Sequence, residues 1–231
     1  MTKKTKTFLP PEYLSRKLSP KIKGLMDAMV SEIKRNIGNQ YAIESIYARY
    51  SRLFDLEGVT AASEIISEVE RSLNRAFHAQ GLMIKYLPQD RVREISKDIS
   101  SSYSVIPDSM KEKAESLMAD YVLGRIDYDT ISKMLTSVSK GHRNFSKNRS
   151  LDIIRKTYST MLKDKAIAVG VEEFQWIHTA SPNPRKLHVE HDKKVFRFDD
   201  PPVIYTSHGV EVHGLPGAAI FCRCKIKILI N

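Results

Sequence analysis

The chain has 231 residues, 42% of them hydrophobic, which is enough to bury a core as one large or two small domains. Its formal net charge of +10 favours an acidic partner, either nucleic acid or an acidic protein face. No window approaches the run of about 18 apolar residues that a membrane span needs, and no apolar signal segment follows the basic N-terminus. Two cysteines spaced as Cys-x-Cys fit a reducing cytosol better than a disulfide scaffold.

Residues 1–23 are predicted to form a basic arm. They hold seven lysines and arginines against one acidic residue, and they contain three prolines. Lys3, Lys4 and Lys6 supply charge for binding a partner. Apolar Phe8 and Leu9 follow them, as expected for a segment that becomes ordered on binding. We therefore expect this arm to be the docking element, and a solvated tail is the alternative.

Helical periodicity dominates residues 24–106, which we predict to form a helical domain. Apolar residues recur at helical spacing up to Gly38, and again in a clear stripe from residue 60 to residue 80. Such a stripe is typical of core rather than of a cofactor site. The prolines and serines between residues 88 and 107 predict a loop or a domain joint.

The third predicted domain covers residues 107–231 and begins with helices. We expect one helix from Asp108, a shorter helix after it, and a long helix from about residue 145 to residue 169. Residues 174–231 would form a small antiparallel β element packed against the long helix. Its inward anchors would be Phe174, Trp176, Val195, Phe196 and Phe198. The sequence therefore predicts an α+β fold that is mainly helical in its N-terminal two-thirds.

A second basic stretch covers residues 140–169, with eight lysines and arginines against two aspartates. The predicted long helix would present a basic outer face. Its contact residues for DNA phosphates or for an acidic partner subunit would include Arg149, Arg155 and Lys156. A face that is merely solvated is the alternative, since no base-reading motif or interleaved aromatic residue accompanies these charges.

The two cysteines lie in a stretch with the alternation of a half-buried strand. From Ile220 to Ile230 the isoleucines and both cysteines fall on one side, and the basic residues fall on the other. Cys222 and Cys224 therefore point to one apolar face, about 6–7 Å apart, which disfavours a disulfide but allows both thiolates to bind one ion. Two small buried hydrophobes are the alternative interpretation.

Histidines precede the cysteines closely enough to complete a metal site. Four of the seven histidines fall within 26 residues: His188, His191, His208 and His213. We predict that His188 and His191 join Cys222 and Cys224 in a structural zinc site, with His213 as the substitute for His191. Thiolate and imidazole ligands suit zinc, and closed sites of this kind add folding free energy.

The C-terminal half also carries an ordered series of short motifs. They are Trp176-Ile177-His178-Thr179, Arg185-Lys186-Leu187-His188, Asp192, Lys194-Val195-Phe196, Asp199-Asp200-Pro201-Pro202, Pro216-Gly217 and Cys222-Arg223-Cys224. From about residue 120 to residue 224 the chain resembles the phage minor head proteins, the Mu F-like head morphogenesis family of tailed bacteriophages. The family pattern has a turn glycine where this chain has Lys193, and this chain lacks the glutamate of the family's upstream Ala-Arg-Thr-Glu element.

The resemblance implies a structural and morphogenetic role. Proteins of this family are minor capsid components present in few copies, associated with the portal vertex and with head assembly, DNA packaging or genome delivery. On that basis we expect the portal protein or the inner capsid as the partner, and packaged double-stranded DNA as a secondary contact. The expected location is the virion, with the host cytoplasm during assembly.

The sequence does not predict an enzyme. It has no phosphate-binding loop, no dinucleotide-binding glycine motif and no His-Glu-x-x-His. Asp199 and Asp200 are adjacent, so on a strand they point to opposite faces, and the two prolines after them are typical of a turn. A metal-dependent nuclease or other hydrolase acting on nucleic acid is the alternative, with Glu190 between His188 and His191 as its base.

Overall fold

The computed structural model describes residues 7–181 and 183–230. Four long helices precede a small set of antiparallel strands, so the predicted α+β fold is confirmed. The helices are α1 (Ser15–Arg35), α2 (Gln40–His78), α3 (Gln89–Val122), α4 (Tyr128–Ala168) and the short α5 (Lys186–Glu190). The strands are β1 (Thr7–Phe8), β2 (Glu173–Ile177), β3 (Val195–Arg197), β4 (Val203–Ser207), β5 (Val210–His213) and β6 (Lys225–Ile228). Within the described ranges, no helix combines the length and the apolar character that crossing a membrane requires.

The long helices form because each buries one face. In α1 the buried residues recur three or four positions apart, at Leu18, Ile22, Met26 and Met29. The stripe predicted between residues 60 and 80 is the last part of α2, and it is buried. Helices of this length owe most of their stability to such packing rather than to intrinsic propensity.

The loop predicted between residues 88 and 107 is wrong, because nearly all of this stretch belongs to α3. Four of its residues are buried on one helical face: Ile95, Ile99, Tyr103 and Ile106. Ser100, Ser102 and Ser104 each donate a hydroxyl hydrogen bond to the carbonyl four residues earlier. Apolar packing therefore outweighs the low helix propensity of the serines.

The two helices predicted between residues 129 and 169 are one helix, α4. It continues through its polar middle because His142, Ser146 and Ser150 take core-facing positions and are buried. The Nδ1 atom of His142 lies 2.8 Å from Asp27 Oδ1 of α1, and Ser150 donates to the Ser146 carbonyl. These hydrogen bonds offset the cost of burying polar groups, and hydrophobic periodicity does not detect such a stretch.

Four strands form one antiparallel sheet in the order β1-β6-β2-β3. In its centre Trp176 of β2 lies opposite Ile226 of β6. Phe174 and Trp176 are fully buried, as predicted for inward anchors. Phe198 is also buried, but Val195 is half exposed, because it alternates with Phe196 along β3 and pairs with Gln175, on the sheet face opposite Phe174 and Trp176.

Strands β4 and β5 pair with each other as a separate hairpin. Its two-residue turn is formed by His208 and Gly209, whose φ angles are +48° and +79°. Positive φ at both central residues is the geometry that matches the twist of a two-residue hairpin. An isolated two-stranded hairpin is marginally stable in water, so its contacts with the rest of the chain matter.

The chain divides into two compact units. One comprises Met1–Glu12, Ile65–Arg93 and Leu151–Asn231, and the other comprises Tyr13–Glu64 and Glu94–Ser150. Each has its own buried residues, such as Phe77 and Trp176 in the first and Phe54 and Tyr103 in the second. The domains expected from the sequence, 1–23, 24–106 and 107–231, are continuous ranges. Each compact unit is instead assembled from separate segments, because α2, α3 and α4 contribute residues to both.

The described part of the predicted basic arm is folded, which corrects the expectation of a segment that orders only on binding. Phe8 pairs with Ile226 and packs edge-on against Phe77, with ring centroids 5.4 Å apart. Leu14 and Leu18 are fully buried. Phe8, Leu14 and Leu18 therefore belong to the core, whereas Leu9 and Tyr13 are exposed. Lys3, Lys4 and Lys6 lie outside the described residues.

Candidate metal centre

Cys222 and Cys224 lie in the extended segment that leads into β6. The strand predicted from Ile220 begins only at Lys225, because Phe221 adopts a left-handed φ of +58° that a strand does not accommodate. From residue 222 to residue 228 the predicted alternation is confirmed, and the two cysteines are only 2% and 9% exposed. Both are free thiols that face the same apolar interior.

His188 brings an imidazole to the two thiols. It lies on α5 and is 3% exposed. Its Nδ1 atom lies 3.5 Å from Cys222 Sγ and 3.6 Å from Cys224 Sγ. The ligand atoms of the three residues all lie within 4.8 Å of one another. His188, Cys222 and Cys224 therefore form a group that could hold a metal ion.

The second ring nitrogen of His188 defines the tautomer. Nε2 lies 3.1 Å from the carbonyl oxygen of Ile204 in β4. A carbonyl oxygen only accepts, so Nε2 carries the proton and donates it. Nδ1 is then the nitrogen with a free lone pair, and it faces the thiols. Backbone carbonyls commonly orient metal-binding histidines in this way.

The separations between these ligand atoms fit a tetrahedral ion. With Zn–S bonds of about 2.3 Å and Zn–N bonds of about 2.1 Å, sulfur and nitrogen ligands of a tetrahedral zinc lie about 3.6 Å apart. The observed separations are 3.5 and 3.6 Å. Among the described residues, no fourth histidine, cysteine or carboxylate joins the group. The protein thus supplies three ligands, whereas structural zinc sites usually take four.

The two thiols differ strongly in acidity. Hydrogen bonding with Cys224 lowers the pKa of Cys222 against the opposing effect of burial, and the Gly217 amide contributes further. The Gly217 N–H donates to Cys222 Sγ at 3.3 Å. Hydrogen bonding with Cys222, followed by burial, raises the pKa of Cys224. Binding a cation would favour the thiolate form of both cysteines and release their protons.

Trp176 of β2 packs against His188 and His191. Its ring centroid lies 5.2 Å from that of His188 and 5.2 Å from that of His191, with both contacts edge-on. The indole is fully buried. This contact restricts rotation of the imidazole of His188, so the orientation of its Nδ1 depends on β2 as well as on β4.

His191, predicted as the fourth ligand, is not in the group. Its Nε2 lies 2.7 Å from the carbonyl oxygen of Val203. Val203 directly precedes Ile204, whose carbonyl oxygen binds His188. His213, the expected substitute, is exposed, and its Nδ1 lies 2.8 Å from the Pro201 carbonyl oxygen. These histidines bind successive parts of the chain around β4. The physical reason is that α5 spans little more than one turn, so residues three apart both face the β4 backbone.

Helix α4 holds the loop that carries the cysteines. Asp152, Arg155 and Ser159 all contact backbone atoms of residues 216–222. Asp152 Oδ1 accepts the amide hydrogen of Phe221 at 2.9 Å. Their spacing of three and four residues places the three side chains on one helical face. Asp152 and Ser159 were not predicted as site residues, although their spacing from Arg155 in the sequence indicates a shared helical face.

Gly217 lets the loop approach α4 closely. Its φ is +89°, and a Cβ atom at this position would lie 3.0 Å from Ser159 Oγ and 3.4 Å from the Arg155 carbonyl oxygen. Both the backbone conformation and the close approach require glycine. The Pro216-Gly217 motif therefore has a steric reason in this fold, and its amide is the one that binds Cys222.

The predicted partner-binding residues of α4 have different environments. Arg155 is only 8% exposed, and its Nε lies 2.8 Å from Glu12 Oε1, so it is a structural residue and not part of an outer face. Arg149 is half-buried, and its Nε and a terminal nitrogen both bind the Ser102 carbonyl oxygen, at 3.1 and 2.7 Å. Lys156 is exposed. Helix formation turns Arg149 and Arg155 inward, which net charge along the sequence does not show.

No protein-family model matches the chain, and no curated protein or solved structure matches it significantly.

Proposed function

We propose that this chain is a low-copy minor head protein of a tailed bacteriophage that docks at the portal or the inner capsid. There it would assist head assembly, DNA packaging or genome delivery. The supporting observation is that the motif residues converge. Trp176, His188, Gly217 and the two cysteines are spread over residues 176–224, yet they meet around one buried group. Motifs that matched the family pattern by chance would have no reason to meet in space.

We propose zinc as the ion of the His188-Cys222-Cys224 group, in a structural role. Two sulfurs and one imidazole nitrogen are a donor set that suits zinc. The ion would join α5 to the segment before β6 and so add folding free energy. Glu190, the base of the nuclease alternative, is exposed and lies 3.9 Å from Lys186 Nζ. Its position beside a surface lysine supports the structural role over catalysis, because a base must reach the reacting proton.

Packaged DNA is proposed as the secondary contact. Lys140, Arg143 and Lys147 of α4 are exposed and spaced three and four residues apart, so they share a helical face. Such cations bind phosphates without reading bases, and the affinity should fall steeply as salt is raised. A contact with a protein would then determine where the chain docks.

The composition of purified particles tests the proposed role. Mass spectrometry of heads from the phage that encodes this chain should find it in a few copies, and it should co-purify with the portal ring. Heads that lack the chain would contradict the proposal. Plasmid DNA incubated with the purified protein and divalent metal tests the alternative. Cleavage that disappears in His188→Ala would replace the proposed role with the nuclease.

A further inference from the structure

A pocket of about 220 Å³ borders Cys224. It is lined by Leu9, Pro10, Glu12, Arg155, Arg223 and Lys225. These residues come from the segment between β1 and α1, from α4, from the segment that leads into β6, and from the first residue of β6. Leu9, Glu12 and Arg223 are exposed, so the pocket is open to solvent.

The pocket carries a net positive charge. Arg155 and Glu12 neutralise each other through their 2.8 Å contact. Arg223 and Lys225 remain, and neither side chain forms a hydrogen bond or an ion pair within the described parts of the chain. Two uncompensated cations on the wall of a small pocket favour an anionic ligand with oxygen acceptors.

We propose that this pocket binds the carboxylate of an acidic side chain presented by a protein partner. A guanidinium such as that of Arg223 can bind a carboxylate through two parallel N–H donors, and Lys225 adds a point charge. Leu9 and Pro10 form an apolar wall that suits the methylene groups of a glutamate side chain. The pocket thus combines a charged end with an apolar side, as glutamate does.

A phosphate of duplex DNA suits the pocket less well. Proteins that bind duplex DNA commonly neutralise about 6–10 phosphates along an extended surface, whereas this pocket offers two free cations. A phosphodiester also carries a sugar on each side and needs an open groove. A carboxylate ends its side chain and can enter a small pocket.

In the proposed docking, this pocket would be a specific binding site for the partner protein. The protein nature of the ligand rests on the proposed function, since portal and capsid surfaces are the expected partners. The pocket itself can be tested without any phage component. Its failure would leave the virion experiment unaffected, and absence from virions would leave the pocket measurement standing.

Titration of the full-length ¹⁵N-labelled chain with N-acetylglutamate N-methylamide tests the proposal. At constant ionic strength and neutral pH, the amide signals of residues 223–225 and the Arg223 Nε signal should shift and saturate, with a Kd of about 1–10 mM. The matched glutamine derivative, which is neutral, should cause no saturable shift. Inorganic phosphate provides the third arm and should bind more weakly than the glutamate probe.

Substitution of the two free cations, Arg223 and Lys225, tests the proposal by mutagenesis. The variant with Arg223→Gln and Lys225→Gln should bind the glutamate probe at least about tenfold more weakly, because it loses charge-assisted hydrogen bonds. Lys186→Gln removes an exposed cation that does not line the pocket and should bind as the wild type does. Should the double variant not fold, Arg223→Gln alone serves, since that side chain is exposed. Absence of saturation, equal binding by the Arg223 variant, equal binding of the glutamine derivative or tighter binding of phosphate would each overturn the proposal.

Discussion

Lys193 holds a backbone conformation that usually belongs to glycine. Its φ is +62°, and its amide hydrogen bonds to the Trp176 carbonyl oxygen at 2.8 Å. A residue with a Cβ atom pays roughly 1–2 kcal/mol to occupy this region. The turn before β3 therefore forms in this chain despite a strained residue.

Replacement of Lys193 by glycine should stabilise the protein. The relief of backbone strain exceeds the extra entropy of glycine in the unfolded chain, so we expect a gain of up to about 1 kcal/mol in the free energy of unfolding. Lys193→Ala is the matched control, because alanine keeps the strain and should give no gain. Urea denaturation measures both variants. Equal stability of the glycine and alanine variants would show that the turn is not strained.

His191→Ala separates a structural histidine from a metal ligand. The variant should lose about 1 kcal/mol of stability because the Val203 carbonyl loses its hydrogen-bond partner. Its metal content should equal that of the wild type, whereas His188→Ala should lose the metal. Elemental analysis together with urea denaturation measures both effects. A fall in metal content in His191→Ala would identify His191 as a ligand after all.

Four ligands were proposed from the sequence, and three of them meet in the structure. Cys222 and Cys224 were accessible to pattern analysis because alternation assigns both to one face. Periodicity could not show which of His188 and His191 is the ligand, because residues three apart lie on the same side of a helix. Which ring faces the thiols depends on carbonyls of β4, and those become neighbours only in the folded chain.

Two glycines in the helices of one compact unit should respond to alanine in opposite directions. A Cβ atom on Gly58 of α2 would lie 3.0 Å from Tyr103 Cβ and 3.1 Å from Ser100 Cα of α3. Gly58→Ala should therefore destabilise by about 1–3 kcal/mol, more than the gain of about 1 kcal/mol in helix propensity. Gly24→Ala in α1 meets no atom within 4 Å and should stabilise by about 0.5–1 kcal/mol. Thermal unfolding of both variants checks the pair, and a stabilised Gly58→Ala would refute the close approach of α2 and α3.

The contact between α1 and α4 predicts a dependence on acid pH. Burial tends to raise the pKa of Asp27, but hydrogen bonds from Lys23 and His142 outweigh it and lower this pKa below its ordinary value. A lowered pKa in the folded state contributes stability above the unfolded value of about 4, and that contribution is lost as pH falls through the folded value. Asp27→Asn should thus be less stable than the wild type at about pH 6, with the difference shrinking between about pH 5 and pH 3. Urea titrations across this range measure it, and a constant difference would exclude a role for the carboxylate charge.

Helices were predictable where the buried face consists of apolar residues. They were not predictable where polar residues occupy that face. The buried stripe at the end of α2 is apolar, and its prediction is confirmed. The middle of α4 buries His142, Ser146 and Ser150, so a periodicity of apolar residues ended there although the helix did not. The same reason applies to the serines of α3, whose hydroxyl groups bind their own helix.

At the scale of the whole molecule, the limits of the compact units depend on contacts between distant segments. Local signals mark positions where the chain can turn, but they do not show which turns separate units. The unit that contains the cysteines also contains Phe8 and Phe77, whose rings are in contact although they lie 69 positions apart in the sequence (77 − 8). No local property of residues 1–23 distinguishes an edge strand from a tail.

The net charge predicts the class of partner but not the surface that meets it. Lys165 lies in the second basic stretch, yet its side chain is only 3% exposed and binds Glu70 and the Lys85 carbonyl oxygen. Arg155 is likewise paired inside its unit. The cations that remain available for a partner are therefore fewer than the count along the sequence, and they include Lys140, Arg143, Lys147 and Arg223.

The metal content of the native chain tests the central claim, that His188, Cys222 and Cys224 hold an ion and so close the C-terminal site. Protein purified without chelators should contain about one zinc per chain by elemental analysis. Cys222→Ser should lower this to below about one zinc in ten chains, because too few ligands remain for tight binding. A wild-type protein that is folded but contains under about one zinc in ten chains would contradict the claim. The group would then be a buried pair of thiols hydrogen-bonded to a histidine.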